Sequence, residues 1–344
     1  MRQDTPMDVD RGSYPDAVTP WERADWRRDA LGWIGERLTE HGLRASGAPS
    51  ARVRPWSVLV RVPVDEDGAG DGGVGGDAGG TVWFKANPPA SRFEAPLTAA
   101  LAEWVPGRVL RPLAVDAVRG WSLLPHEGPL FRTVLETEAV EPRAWEDLLQ
   151  QYATLQRALV PRADALERLG VPRIRTPGLP AVFDELLAAS TSLEPAERAR
   201  LTALRPRLVD WCAELAALGI PDSLDHADLH EGQAFRPEPG RFVFFDWGDA
   251  VVSHPFTSLR VPGRQAEQRY GAGVLPRLRD AYLEPWTGDG HAAAELRRAA
   301  RIAWRLGVLG RVRSWAGVFP TASALTAVSG GRALLELLDE PSLR

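Results

Sequence analysis

Lysine is almost missing from this chain of 344 residues. Lys and Arg together number 41, and a single one of them, Lys85, is lysine. Cysteine also occurs once, as Cys212, which excludes an intrachain disulfide framework. Its setting, VDWCAELAAL, reads as a buried helix face rather than the surroundings of a nucleophile. The chain lacks any apolar run of the roughly eighteen residues that a transmembrane helix needs. Its first residues, MRQDTPMDVDRGS, are polar and acidic with no apolar h-region, so the expected location is the cytoplasm. The formal net charge of -5 excludes a general pull toward nucleic acid or an anionic membrane. Repeats at solenoid periods are also missing.

The residues that are present suit a soluble globular protein large enough for two lobes with sizeable cores. Arginine replaces lysine nearly everywhere, as a strong coding bias would produce. A lysine retained at one position then points to a place that needs a compact ammonium and does not fit a guanidinium fork.

Residues 1–18 read as a flexible or loosely packed tail. Thr19-Pro20-Trp21-Glu22 is a capping-box pattern with Pro at the first helical position. The helix it opens runs to about Glu40, with Trp26, Leu31, Trp33, Ile34 and Leu38 as an apolar stripe and Gly42 as the stop. Strand signals follow at 51–54 and 56–64, with Val58, Val60, Val62 and Val64 on one face. The Gly/Asp stretch 65–80 lacks the lysine and hydroxyl that end a phosphate-binding loop and is acidic, so it reads as a flexible hairpin tip. TVWFKAN, 81–87, is a third strand with Lys85 near its end. The segment 93–105 is helical by its Leu97, Leu101 and Val105 spacing. Strand signals at 109–118 and 121–124 complete this part. Helical patterns then dominate: 141–159, 181–189, 194–218, 264–283, 290–318 and 321–338.

One stretch interrupts the helices. LDHADLHEGQAFRPEPGRFVFFDWGDA, 224–250, reads as a polar loop, a turn at 236–240, a strand at 241–245 and a second acidic loop. A hairpin brings its flanks together, so Asp228 and Gln233 are expected to face Asp246. One carboxylate can then accept a proton from a hydroxyl, while the other carboxylate and an amide oxygen hold a hard cation such as Mg²⁺. His226 and His230 are four apart, as zinc ligands can be. A third ligand is not apparent, and Leu229 stands where a zincin needs its general-base Glu. The role expected of His226 is to hydrogen-bond the backbone around the two acidic loops; His230 reads as a surface residue.

His226-Ala227-Asp228-Leu229-His230-Glu231-Gly232-Gln233 resembles the catalytic loop of the aminoglycoside phosphotransferase and small-molecule kinase family. Asp246-Trp247-Gly248-Asp249 resembles that family's metal-binding motif. The family usually has Asn where this chain has Gln233. The resemblance covers about 53–259. It implies an α+β, protein-kinase-like two-lobed fold: a small lobe, 1–124, with a five-stranded antiparallel sheet and one main helix, and a helical lobe, 125–344. It implies an ATP-dependent phosphotransferase moving the γ-phosphoryl group to a hydroxyl of a small molecule, with ATP and Mg²⁺ as cofactors and neither nucleic acid nor membrane as partner. Asp228 becomes the catalytic residue, and Gln233 and Asp246 the metal ligands. His226 and Asp249 support them. Lys85 contacts the nucleotide phosphates, paired by Glu94 in preference to Glu103. Leu123-Leu124-Pro125-His126 form the hinge between lobes, whose backbone meets the adenine edge. A Pro-containing turn followed by Asp-Leu is common in the family; Ser258-Leu259 replaces that pair, so any anchoring acid is absent or moved. For an aminoglycoside acceptor an acidic wall is expected, from Asp280, Glu284 and Asp289; Arg297, Arg298, Arg301 and Arg305 suit an anionic or neutral one instead. A second class fits Gln233 and the glycine-free turn at 54–57: a nucleotide-binding pseudokinase acting as a regulatory or interaction module.

Overall fold

The structure, a computed structural model, describes residues 8–12, 14–66, 80–288, 290–318, 331–341 and 343. The chain divides into two compact units, Met1–Glu127 and Gly128–Arg344.

In the first unit, α1 (Ala24–Glu40) follows a 3-10 turn at Pro20–Glu22. The capping box is formed, the Thr19 N–H donating to Glu22 Oε2 at 2.9 Å. The sheet has six strands rather than the five expected: β1 (Leu43–Ala45), β2 (Ser50–Arg54), β3 (Ser57–Glu66), β4 (Gly80–Ala86), β5 (Ala114–Asp116) and β6 (Trp121–Pro125). The order is β1-β3-β4-β6-β5, all antiparallel, with β2 also paired to β3. The long strand β3 explains the extra one. Its residues 57–61 pair with β2, and 64–66 pair with β1 along the same edge. Short Leu43–Ala45 carries no alternation of its own; it is recruited by unpaired β3 backbone. β5 is shorter than the strand read at 109–118, and Pro112, which has no N–H to give a ladder, precedes it.

The four β3 valines are buried against α1, as their alternation predicted. Trp33, Phe84 and Trp121 meet edge to face in that core, with centroids 5.6 to 5.9 Å apart. Residues 8–12 and 14–18 are not a loose tail. The Asp10 N–H donates to the Val53 carbonyl at 3.0 Å, and Arg54 pairs with the Asp10 carboxylate. Residues 1–7, and 67–79 of the Gly/Asp connector, lie outside the described residues. α2 (Glu94–Trp104) follows β4.

The second unit is mostly helical: α3 (Phe131–Thr137), α4 (Arg143–Leu159), α5 (Ala163–Arg168), α6 (Leu179–Ala189) and α7 (Pro195–Ala217) precede the acidic loops. Cys212 is buried on α7, where burial pushes its thiol up to about 12. Four short strands frame the loops: β7 (Ser223–Asp225), β8 (Ala234–Glu238), β9 (Arg241–Phe244) and β10 (Val251–Ser253). β8 pairs with β9, and β7 with β10. The turn read at 236–240 is in fact only Pro239-Gly240, because Glu238 pairs with Arg241 and Gly240 takes φ +77°. A register shift between Phe235 and Glu238 accommodates Pro237 in this strand.

The helix read at 264–283 is two helices, α8 (Arg260–Tyr270) and α9 (Leu275–Leu283), broken at Gly271 with φ +82°. α10 (Ala293–Val318) follows, and no helix among the described residues is long and apolar enough to cross a membrane. Of the last predicted helix, 331–334 are helical and a 3-10 turn covers Leu335–Leu338; 319–330 lie outside the described residues.

Gly263 on α8 lies against the buried ring of Trp304 on α10. A Cβ there would come within 2.5 Å of Trp304 Cζ3. Helix propensity alone favours Ala over Gly by about 1 kcal/mol, but overpacking a rigid ring costs about 1–3 kcal/mol. Gly263→Ala is therefore expected to lower the urea midpoint of this unit. Gly310→Ala on α10, where nothing lies within 4 Å, is expected to raise it. The same sign for both would contradict the packing.

Candidate active site

In the first unit, Phe84 points into the α1 core, so the next residue of β4, Lys85, points to the opposite face of the sheet. There its Nζ donates to Glu94 Oε1 at 2.7 Å, and both side chains are buried. Asn87, the single asparagine of the chain, donates its Nδ2 to Glu94 Oε2. Glu94, in the first turn of α2, is thus held by both oxygens and fixes the ammonium. Leu123 and Leu124 lie buried in β6 opposite Phe84 and Trp83. The Leu123 carbonyl accepts from the Leu113 N–H at 2.8 Å.

In the second unit, the loop from His226 to Gln233 is pinned from beneath. Tyr152 Oη, on α4, donates to the Leu224 carbonyl at 3.0 Å and accepts from the His226 N–H at 2.9 Å. Between them sits Asp225, a buried carboxylate that the sequence reading missed. It accepts from Ser258 Oγ at 2.6 Å, Thr257 Oγ1 at 2.7 Å and the Ala227 N–H at 2.9 Å. The anchoring acid not found at position 258 is present at 225, and the hydroxyls stand at 257 and 258. An acid directly before His226 and a Thr-Ser pair after the proline turn were the available signals. Ala227 is held at φ +62°, a left-handed conformation costly for a residue with Cβ.

His226 is fully buried. Its Nε2–H donates to the Phe245 carbonyl at 2.9 Å, tying the first acidic loop to the second. From the other side the Phe245 N–H donates to the Gln233 carbonyl at 3.2 Å. Phe245 is thus clamped between His226 and Gln233. Asp246, next in the chain, takes φ +67°. The hairpin register, with Ala234 opposite Phe244, carries Gln233 to the position facing Phe245. Asp249 lies three residues on, beside the turn closed by the Ala250 N–H to the Trp247 carbonyl at 3.0 Å.

Asp228 is set by opposing charges. Burial raises its carboxyl to about 6; Arg311 pulls it down, Asp246 and Glu231 push it up, and Arg132 pulls it down. Arg311 Nη2, on α10, donates to Asp228 Oδ1 at 3.2 Å. His230 is more than a surface residue. Its Nδ1 accepts from the Gly232 N–H at 2.9 Å and faces Arg132 Nη2 at 3.1 Å, which leaves the proton on Nε2, 3.7 Å from Asp228 Oδ2. Burial lowers the His230 pKa, so the ring is neutral near pH 7. Gly232 lets the loop pack closely here: a Cβ would stand 2.8 Å from His230 Cε1 and 2.9 Å from Arg132 Nη2, so those side chains would have to shift.

No group of three or more His, Cys, Asp or Glu among the described residues could hold a metal. Asp246 and Gln233 offer a carboxylate and an amide oxygen. That hard donor pair fits Mg²⁺, which keeps waters and substrate phosphates for its remaining positions. Most of the residues nominated for the acceptor are otherwise engaged. Asp280 is held by Arg279 and Arg297, Glu284 accepts from Gln150, Arg298 pairs with Glu214, and Arg305 covers the Trp211 ring at 4.2 Å. Asp289 lies outside the described residues. The arginine that does reach Asp228 is Arg311, which the sequence reading did not single out.

Comparison with protein-family models and with curated proteins gives no match. Solved structures do match. A macrolide 2'-phosphotransferase from Brachybacterium faecium is 17% identical, with a TM-score of 0.57 over 89% of this chain and 98% of that one. A Plasmodium vivax ethanolamine kinase is 11% identical, with a TM-score of 0.58 over 94% and 90%. A GDP complex of aminoglycoside 2'-phosphotransferase-IIIa is 14% identical, with a TM-score of 0.52 over 90% and 97%. Likeness at these identities establishes the fold: the α+β, protein-kinase-like fold of the aminoglycoside-phosphotransferase type, shared with ethanolamine kinase.

In nucleotide-free, metal-free protein the Asp228 carboxyl should titrate near pH 6, read as a ¹³C carboxyl resonance missing from Asp228→Asn. A midpoint near the ordinary 3.8 would contradict its burial. The linkage has a definite sign. The folded pKa lies above the unfolded one, so Asp228 costs nothing below pH 4 and its full destabilisation above pH 6. The gain in stability of Asp228→Asn over the wild type should therefore grow between those two values.

Proposed function

We propose that this chain is an ATP-dependent phosphotransferase acting on a hydroxyl of a small molecule, working in the cytoplasm where ATP is supplied. The observation that carries the reading is the double clamp on Phe245, which sets Gln233 and Asp246 around one residue beside Asp228. The fold supports it, since the solved neighbours are named as phosphotransferases and kinases. Lys85, oriented by Glu94 and Asn87, would bind the nucleotide α- and β-phosphates in the first unit. Asp246 and Gln233 would hold Mg²⁺, which when bound neutralises phosphate charge. Asp228 orients the acceptor hydroxyl and takes its proton. The hydroxyl oxygen bonds to the γ-phosphorus, the bond from that phosphorus to the β–γ bridging oxygen breaks, and ADP leaves. A base with a pKa near 6 retains useful basicity while ionised at pH 7. Positioning and charge neutralisation supply most of the rate.

Nucleotide binding without turnover is the second reading. Two observations favour it: the longer amide at Gln233 and the Arg311 guanidinium on the base.

MgATP at 100 times its Kd should stabilise the protein by about 2.7 kcal/mol, read as a raised thermal midpoint. Lys85→Ala should remove that shift. With an accepted hydroxyl compound, Asp228→Asn should slow ADP release by about 10²- to 10⁴-fold while leaving the MgATP shift in place. A shift with no turnover across a broad acceptor panel would select the second reading. No shift with any nucleoside triphosphate would remove both.

A further inference from the structure

Arg311 sits on α10 with its side chain 56% exposed, and its only hydrogen bond among the described residues is to Asp228 Oδ1. A guanidinium carries five N–H donors. One donor is used at 3.2 Å, so the rest of the fork faces solvent beside the proposed base. This contact works against proton abstraction, because a cation held on a carboxylate lowers its basicity. The site becomes more basic when another anion takes the guanidinium.

The remaining charges near Asp228 are committed. Arg132 Nε donates to Glu231 Oε1 at 3.0 Å, and the other oxygen of Glu231 is enclosed without a partner, so it does not meet a solvent-borne cation. Asp246 belongs to the metal side of the site in the reading above. Asp280 and Glu284, the candidates for a cation-binding wall, are taken by Arg279, Arg297 and Gln150. Among the described residues, an ammonium brought to Asp228 from solvent would thus meet an exposed guanidinium and no uncommitted carboxylate but the base itself. Like charges in such contact are strongly disfavoured.

We propose that the acceptor is an anionic hydroxyl compound whose carboxylate or phosphate group is received by Arg311, which releases Asp228 as it binds. Arg311 is then a specificity residue of the acceptor site. This rests on the phosphotransferase reading. It gives the site a substrate class opposite in charge to the aminoglycosides and to ethanolamine.

The experiment measures ADP release by the full chain with MgATP and three sets of acceptors. One is anionic (glycerate and gluconate as carboxylates, glycerol 3-phosphate as a phosphate ester), one neutral (glycerol, glucose) and one cationic (ethanolamine, kanamycin). Wild type, Arg311→Ala and Arg311→Gln are compared. At least one anionic compound should accelerate ADP release, and the two variants should lose about 10- to 100-fold in kcat/KM for it, as expected for a hydrogen bond to a charged group. Most of that loss should fall on KM. Carboxylate-only or phosphate-only turnover identifies which anion Arg311 takes. Acceleration by neutral or cationic compounds that the variants leave unchanged overturns the proposal. So does a wild type stabilised by MgATP that no anionic compound accelerates. A wild type that MgATP does not stabilise fails the phosphotransferase reading itself, and Arg311→Ala, which leaves Lys85 intact, should retain the MgATP shift in every case.

Discussion

A carboxylate removed from water constrains the second unit more than any other group. Asp225 is buried, and burial raises its pKa. An unpaired charge there would cost far more than one contact returns. Its three donors come from Ala227, Thr257 and Ser258, two segments thirty residues apart in sequence that must fold around one side chain. Satisfying it bends the chain at Ala227 and brings the proline turn at His254-Pro255 beneath the acidic loop. Gln156 joins the same network, donating to the Leu224 and Pro255 carbonyls and to Ser258. The loop at 226–233 therefore stands on a floor of mutually hydrogen-bonded polar side chains.

On that floor the chemistry is set by position along a short hairpin. The clamps on Phe245 from His226 and Gln233 fix the second acidic loop against the first. A left-handed Asp246 is tolerated because its neighbour is held on both sides. The first unit uses the same economy. Strand alternation puts Phe84 in the aromatic core and Lys85 on the other face, and Glu94 and Asn87 complete a buried ion pair.

Asp228 sits in a balance of opposing charges. Burial and neighbouring acids make the group a better base, while Arg311 and Arg132 oppose them. Glu231 belongs to the loop itself, but Arg132 reaches it from α3 and Arg311 from α10, both far along the sequence.

Local order was legible in the residues. The valine alternation of β3, the capping box before α1, the strand at 241–244 and the spacing of Asp228, Gln233 and Asp246 are short-range patterns, and the fold follows them. The lone lysine marked its own position, and Glu94 was readable nine residues later because strand and helix follow directly in the chain. What the sequence could not determine were the meetings of distant segments. β1 exists only because β3 is long enough to offer it an edge. Asp225 looked like any acid in a polar loop until Thr257 and Ser258 came to it. Arg297, Arg298 and Arg305 resembled site residues, yet packing turned them to Asp280, Glu214 and Trp211 respectively, whereas Arg311 reached the base. Periodicity and motif spacing act over a few residues. Which carboxylate each arginine meets is decided by how whole helices pack, and only the tertiary structure carries that.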